Sequence, residues 1–463
     1  MIKRLSRWVD DRLGTGSFAK AALNKVFPDH WSFMIGEIAL YAFVVLLGTG
    51  TYLTFFFNPD TKQVVYDGRY QQLKNVKMSA AFESVLHISF EVRAGLVMRQ
   101  IHHWAALIFV AAMTAHLLRI FFTGAFRRPR EINWVIGLFM LLLGIGNGFT
   151  GYSLPDDLLS GTGLRIAYAV AQSIPLVGNW IAFLVFGGEY PGNVISRLYV
   201  IHILIIPAAI VALLSAHLGI LWRQKHMQFA GKGKTETNVV GSRLYPNFAM
   251  KSIGLFFLVF AVCAALGGLT QVNPVWLYGP YDPAAVTAGS QPDWYIGWLE
   301  GALRLMPPWE VRAFGHTIPN PFFPGVLMPG VLFTAMFLWP WLEAWFAKDD
   351  QAHHILDRPR DRPKRTAFGV AAAAFYLVIF LAGGNDVLAQ RLQLSVNAMT
   401  KALQVALFFG PALAYFVTYR VCKELRDSGV PITHPTRESG IVMRTAEGGY
   451  VEQERDPAEN PSP

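Results

Sequence analysis

Eight apolar runs, each near or above the roughly 18 residues that mark a membrane-crossing helix, constrain this chain more than any other feature. They lie near 33–57, 98–122, 133–152, 197–221, 250–270, 325–346, 366–384 and 402–422. Charged residues make up 15% of the 463, and hydrophobic residues 53%. A soluble domain carries about 25% charge, so a water-facing fold of this length is excluded. In lipid a helix satisfies its backbone polar groups within one segment. The expected fold is therefore an all-α integral membrane protein with eight transmembrane helices. Pro207, Pro329, Pro340 and Pro411 fall inside these runs, where neighbouring helices re-satisfy the carbonyls that proline frees.

An even number of spans puts both termini on one side, and basic residues say which. Residues 1–31 hold six Lys/Arg against three acids, residues 223–251 six against one, and residues 348–365 six against four. The turn at 127–131 reads Arg-Arg-Pro-Arg-Glu. All four segments share a side in an eight-span path, whereas 153–194, on the other side, has one Arg and three acids. Cytoplasmic loops are the ones rich in Lys and Arg. Both termini are thus expected in the cytoplasm. The net charge of +9 is spread over these loops, so it argues for membrane orientation and not for nucleic acid. Residues 1–31 lack a small-residue cleavage site, and the first span is expected to act as an uncleaved anchor. The division that follows is a cytoplasmic segment 1–32, a four-span part 33–222, a cytoplasmic linker 223–249, a second four-span part 250–422 and a polar, mobile tail 423–463. Three outer loops, 58–97, 153–196 and 271–324, are long enough to carry function.

The second run contains His102, His103 and His116, and the fourth contains His202 and His217. Both runs cross in the same direction. His102 and His202 fall near the outer end, His116 and His217 near the inner end. Gaps of 14 and 15 residues correspond to about 21 and 22 Å of helix, so two sites stack across the membrane. Fourteen residues bring a helix to within about 40° of full turns, which puts His102 and His116 on one face. The second pair is about 60° apart, with Pro207 between them to absorb part of the offset. Neutral imidazoles ligate haem iron well, and two per iron make a six-coordinate electron carrier. The pairs expected are His102 with His202 and His116 with His217. His103 reads as an ordinary helix–helix hydrogen-bonding residue.

Arg99 lies one turn before His102, and Arg119 one turn after His116. Haem propionates need cationic partners, and arginine offers a fork for carboxylates. Gly36 and Gly50 are 14 apart in the first run, and Gly137 and Gly151 are 14 apart in the third. Glycine allows a flat ring to approach a helix backbone closely.

On these residues the chain resembles cytochrome b of the respiratory cytochrome bc complexes, over roughly residues 30–422. Arg99-Gln100-Ile101-His102 with His116-Leu117-Leu118-Arg119 is similar to the family's second span, and His202 and His217 to its fourth-span ligands. Gly151-Tyr152-Ser153-Leu154-Pro155 is similar to the end of its third span. Pro292-Asp293-Trp294-Tyr295 sits where the family has a Pro-Glu-Trp-Tyr quinol-site motif. The departures are specific. The gap of 15 matches chloroplast-type relatives, yet all eight spans lie in one chain. Asp293 replaces Glu, the run after Pro155 reads DDLLSGTG, Trp222 stands where a histidine is expected, and Ser252 follows Lys251 where an aspartate is expected. Together they resemble the actinobacterial branch, whose quinone is menaquinone.

The resemblance implies two b-type haems and quinol oxidation at the outer site. One electron goes to a Rieske iron–sulfur subunit. The other crosses the haems to a quinone at the inner site. It also implies a cytochrome c subunit, a homodimeric complex and a terminal cytochrome oxidase as partners. With two cysteines and no Cys-x-x-Cys-His, the iron–sulfur and c-haem centres must lie on those partners. Asp293 is the expected proton acceptor, with Tyr295 and Tyr152 lining the headgroup slot, and Lys251 serves the inner site together with Arg223, Lys225 and His226. Two other readings share some of these features. A di-haem anchor of another quinone-linked oxidoreductase would use the same histidines, but with fewer spans and no Pro-Asp-Trp-Tyr loop. A haem-free transporter would show internal repeats and broken helices with intramembrane acids, and no repeat is seen.

Overall fold

The computed structural model describes residues 2–285, 291–313, 315–428, 437–444 and 450–455. Among them eight helices are long and apolar enough to cross a membrane: Trp31–Thr54, Gly95–Thr123, Glu131–Ser153, Val194–Gln224, Leu244–Leu269, Phe323–Ala347, Pro363–Gly383 and Val396–Asp427. Each corresponds to one expected run. The last departs most, beginning at Val396 instead of near 402 and continuing past 422 to Asp427. Its start is set by Ser395, whose hydroxyl caps the Ala398 N–H at 3.1 Å, a polar signal that a scan for apolar residues passes over.

The second span is a 29-residue helix, about 44 Å long, enough to carry two sites at different depths. Gly124 ends it in the left-handed region (φ 64°), a closure that glycine makes without a Cβ penalty. The fourth span is not uniform. An α-helical start, Val194–Val200, runs into a π turn, Ile201–Ile205, and then an α-helix, Ile206–Gln224, with Pro207 in its first turn. The unwinding expected around Pro207 therefore lies just before it. The sixth span opens in the same way, with a π turn at Phe323–Leu327 ahead of Pro329.

The first span packs along the second, the fifth lies against both, and the fourth packs on the third. The seventh pairs with the eighth and with Trp294–Leu305, a helix of the loop 271–324. One apolar core draws on spans one to five and that loop helix, through Phe43, Phe109, Leu141, Ile210, Cys263 and Tyr295.

The four basic segments meet on one face. Val26–Phe27 pairs with Ser242–Arg243, and Gln228–Phe229 with Ile355–Leu356. Arg365, its side chain 3% exposed, bridges Glu343 and Asp357, and Arg127 reaches Asp357 at 3.3 Å. The three long loops gather on the opposite face, where Leu158 N–H donates to the Gly279 carbonyl and Tyr281 N–H to that of Asp156, both at 3.0 Å. The expected tail 423–463 begins inside the last helix and holds two antiparallel paired strands, Arg437–Arg444 and Tyr450–Arg455. The rest of the tail beyond Ser428, and residues 286–290 of the loop 271–324, lie outside the described residues.

Candidate functional site

His102 and His202 face each other with ring centres 6.3 Å apart and planes at 75°. Two imidazoles that hold one metal from opposite sides, at about 2 Å per bond, place their ring centres roughly 6 Å apart. Their outer nitrogens are tied back. Thr49 donates its hydroxyl proton to the Val45 carbonyl at 2.7 Å, which leaves Thr49 Oγ1 to accept from His102 Nδ1–H at 2.9 Å. His202 Nδ1–H donates to the Asn147 carbonyl at 3.0 Å, with Thr150 Oγ1 at 3.2 Å. A donated Nδ1–H leaves Nε2 with its lone pair, the form a metal ligand requires. At the second depth, His217 is the foremost electrostatic neighbour of His116. Nδ1 of both is buried without a hydrogen bond. Among the described residues no three His, Cys, Asp or Glu side chains gather as a metal site. The histidines come in twos, as suits an iron whose remaining ligands belong to a macrocycle.

The four glycines pair one to one with the four histidines. A Cβ at Gly36 would lie 3.1 Å from His116 Cε1, at Gly50 3.1 Å from His102 Cε1, at Gly137 3.8 Å from His217 Cε1, and at Gly151 2.4 Å from His202 Cε1. Spans one and three thus carry the clearances, and spans two and four the rings that use them. The sequence pointed to room for a large flat group. In the structure the imidazole itself is the first ring these glycines admit. Gly148 does the same for Tyr295, whose ring lies 2.7 Å from where a Cβ would be.

Both arginines are short of partners. Arg99 Nη2 donates to the Asn273 carbonyl at 2.8 Å, but its Nη1 is buried and unpaired. Arg119 lies over the Phe33 ring at 4.4 Å, with Nε and Nη2 buried and unpaired. Unpaired buried donors on a cation are costly, and one such arginine lies at the level of each histidine pair. A carboxylate-bearing ligand would satisfy them.

A cavity of about 150 Å³ adjoins the first pair, lined among others by Arg99, His102, Tyr152, His202, Asp293 and Tyr295. Asp293 leads into the helix Trp294–Leu305. Its carboxylate accepts from the Tyr295 hydroxyl at 3.0 Å and meets His103 Nε2 at 3.0 Å. Burial, then the adjacent Asp293, hold the Tyr295 phenol well above its ordinary pKa, so it remains a proton donor. The Tyr152 hydroxyl is buried without a partner. His103 is the residue that sequence reasoning passed over. Its place beside His102 shows that it points elsewhere on the helix, but nothing in the chain says what packs there.

That strip of the second span also joins the two halves of the chain. Gln100 exchanges two hydrogen bonds with Val272, at 2.8 and 2.9 Å, and Trp104 Nε1–H donates to the Thr270 carbonyl at 2.8 Å. On the basic face, Lys251 pairs with Asp29 at 3.0 Å, while Arg223 and Lys225 are exposed. His226 packs on Phe27 with ring centres 4.9 Å apart. Burial, then Arg119, Arg130 and Lys25, lower its pKa to about 4, so it is neutral at pH 7. A larger recess of about 710 Å³ on this face, between the 127–131 turn and the end of the sixth span, contains none of the paired histidines.

Residues 107–280 match the family described as Cytochrome b(N-terminal)/b6/petB. Over 454 residues the chain is 50% identical to the cytochrome bc1 complex cytochrome b subunit of Mycobacterium tuberculosis, covering 98% of this chain and 82% of that protein. It is 49% identical over 451 residues to the subunit of the same description from Streptomyces coelicolor, covering 97% of this chain and 83% of the other. It is 49% identical over 445 residues to that of Corynebacterium diphtheriae, covering 96% and 82%. A chain of a solved "Hyperthermophilic respiratory Complex III" shares the fold, with a TM-score of 0.64 at 19% identity over 89% of this chain and 99% of that one. Eight spans, opposed histidines and identity near one half over almost the whole length lead to one assignment: the chain belongs to the cytochrome b subunits of the cytochrome bc1 complex, in their actinobacterial form.

Proposed function

We propose that the chain holds two b-type haems, one between His102 and His202 and one between His116 and His217. In this reading it carries electrons from a menaquinol oxidised at an outer site to a quinone reduced at an inner one. As a member of its family it is the membrane-embedded electron-transfer subunit of a quinol-oxidising respiratory complex, a quinol:cytochrome c oxidoreductase. That membership sets aside both the di-haem anchor of another enzyme and the haem-free transporter.

The observation that carries the ligand assignment is the facing pair at 6.3 Å with both outer nitrogens tied back. When bound, haem supplies reversible one-electron transfer. The chain's own residues orient the imidazoles through Thr49, Asn147 and Thr150. Gly36, Gly50, Gly137 and Gly151 keep the space clear, and the unpaired nitrogens of Arg99 and Arg119 receive propionate carboxylates.

At the outer site the cavity takes the quinol headgroup. Tyr152 meets one of its oxygens, and Asp293 accepts a hydroxyl proton while His103 and Tyr295 hold the carboxylate in place. On the basic face Lys251, with Arg223, Lys225 and His226 close by, borders the inner quinone. Protons leave on one side and enter on the other, with both termini in the cytoplasm and the chain in the bacterial plasma membrane.

The partners are a Rieske iron–sulfur subunit and a cytochrome c subunit, within a dimeric complex that also meets a terminal oxidase. Both cysteines of the chain are buried in spans, which supports placing those metal centres elsewhere. The reduced-minus-oxidised visible spectrum of the purified subunit tests the reading. Two b-type haems of bis-imidazole character are expected, reduced to one in His102→Ala. No haem signal in the intact chain would overturn it. Proteoliposomes holding the complex are expected to acidify their outer-site side as quinol is oxidised.

A further inference from the structure

The first span carries a single carboxylate, Glu37. An ionisable group within a span is costly and is most often kept for function, together with an identifiable partner. Glu37 lies in the first turn of the helix Ile35–Thr54, at the basic face. Its carboxylate accepts from Ser252 Oγ at 2.6 Å and from Tyr41 OH at 3.3 Å, and those two hydroxyls also touch. Both partners are neutral. Lys251, next to Ser252, is turned to Asp29 instead.

Two further facts set this group apart from a simple tether. Gly36, the preceding residue, is the one against which the His116 ring lies, so Glu37 is one residue from the inner histidine site. Ser252 is also the position where the family resemblance leads one to expect an acid. The acid missing from the fifth span is present on the first, hydrogen-bonded to the residue that took its place.

We propose that Glu37 is the proton donor of the inner quinone site. This rests on the reading that a quinone is reduced there. The Glu37 carboxyl O–H breaks as an O–H forms on one quinone oxygen. The two electrons come, one at a time, from quinol oxidised at the outer site, and the second proton comes from water on the basic face. Ser252 and Tyr41 lead a replacement proton to Glu37.

The test uses the purified complex with its outer site blocked by an inhibitor and its haems pre-reduced. A soluble menaquinone analogue is added, and inner-haem reoxidation is followed in the visible spectrum. Positioned acids contribute about 10²- to 10⁴-fold, so Glu37→Gln is expected to slow reoxidation by at least about 10²-fold, with haem content and quinone affinity little changed. Glu37→Asp is expected to be intermediate. The exchange Glu37→Ser with Ser252→Asp returns an acid to the same spot and is expected to recover most of the rate lost in Glu37→Ser alone.

Reoxidation at the unaltered rate in Glu37→Gln would overturn the proposal. So would an exchange variant no faster than Glu37→Ser while both keep their haems. A merely structural carboxylate would show as lost haem in Glu37→Gln, without rescue by the exchange. If the unaltered complex shows no quinone-driven reoxidation, the inner-site reading itself falls and the proposal with it.

Discussion

Four glycines set against four histidines make a graded series. The clearance to the imidazole shrinks from 3.8 Å at Gly137 to 3.1 Å at Gly36 and Gly50 and 2.4 Å at Gly151. Ordinary carbon contacts begin near about 3.5 Å. Gly137→Ala is therefore expected to keep both haems. Gly151→Ala has to displace the His202 ring, and overpacking of this kind costs about 1–3 kcal/mol. Haem counts on the purified variants should fall in that order, with Gly151→Ala losing its outer haem first. Asp293 supports a second expectation. Asp293→Asn keeps the hydrogen-bonding shape but not the base, and quinol oxidation should slow by about 10²-fold with both haems retained. Stopped-flow reduction by quinol, set beside reduction by dithionite, separates the two effects. The opposed histidines, and the arginines and glycines grouped with them, were legible because each is a rare residue type repeated at a helical interval. His103 was not, since its partner is 190 residues away and periodicity says nothing about which loop returns to a face.

At the scale of the element, the unequal histidine gaps have a local cause. A π turn holds one more residue than an α turn. The turn at Ile201–Ile205 takes up the extra residue of the fourth span, so 15 residues there do the work of 14 in the uniform second span. Deleting Leu204, which faces outward at 62% exposure, is expected to convert the π turn to α-helix and leave two haems in place. Inserting one alanine after Ile108 in the second span has no such turn to absorb it. The insertion rotates His116 by about 100° relative to His102, and the haem count should drop from two to one. Sequence alone offered two clues to this turn, the gap and Pro207. It could not say that the widened turn contains His202 itself, because π and α turns draw on the same apolar residues.

For the whole molecule, apolar run length was enough to set the number of spans, and basic residues were enough to group the loops, because lipid and water impose those patterns directly. How the halves join was hidden. The core runs through spans one to five and Tyr295, and the contacts that tie the outer loop to the second span involve single polar side chains with no pattern of their own. Those contacts do not depend on the linker. Two fragments broken after Gly233, in the turn of the linker, are expected to assemble when made together and to give the spectrum of the intact subunit. Failure to co-purify would show that the linker does more than connect.

The strip from Arg99 to Trp104 also bears on how the chain is made. Its partners on the later segment are Thr270, Val272, Asn273 and Asp293. The Gln100–Val272 contact spans 172 residues. At about 5–20 residues per second, the strip waits roughly ten to thirty seconds after synthesis before those groups exist. Until then an arginine, a glutamine, a histidine and an indole N–H lie near the membrane edge without their final acceptors. A chain halted after its fourth span would keep that polar stripe uncovered, and a completed one would not. A cell that inspects nascent membrane proteins could therefore tell an unfinished subunit from a finished one by the second span alone.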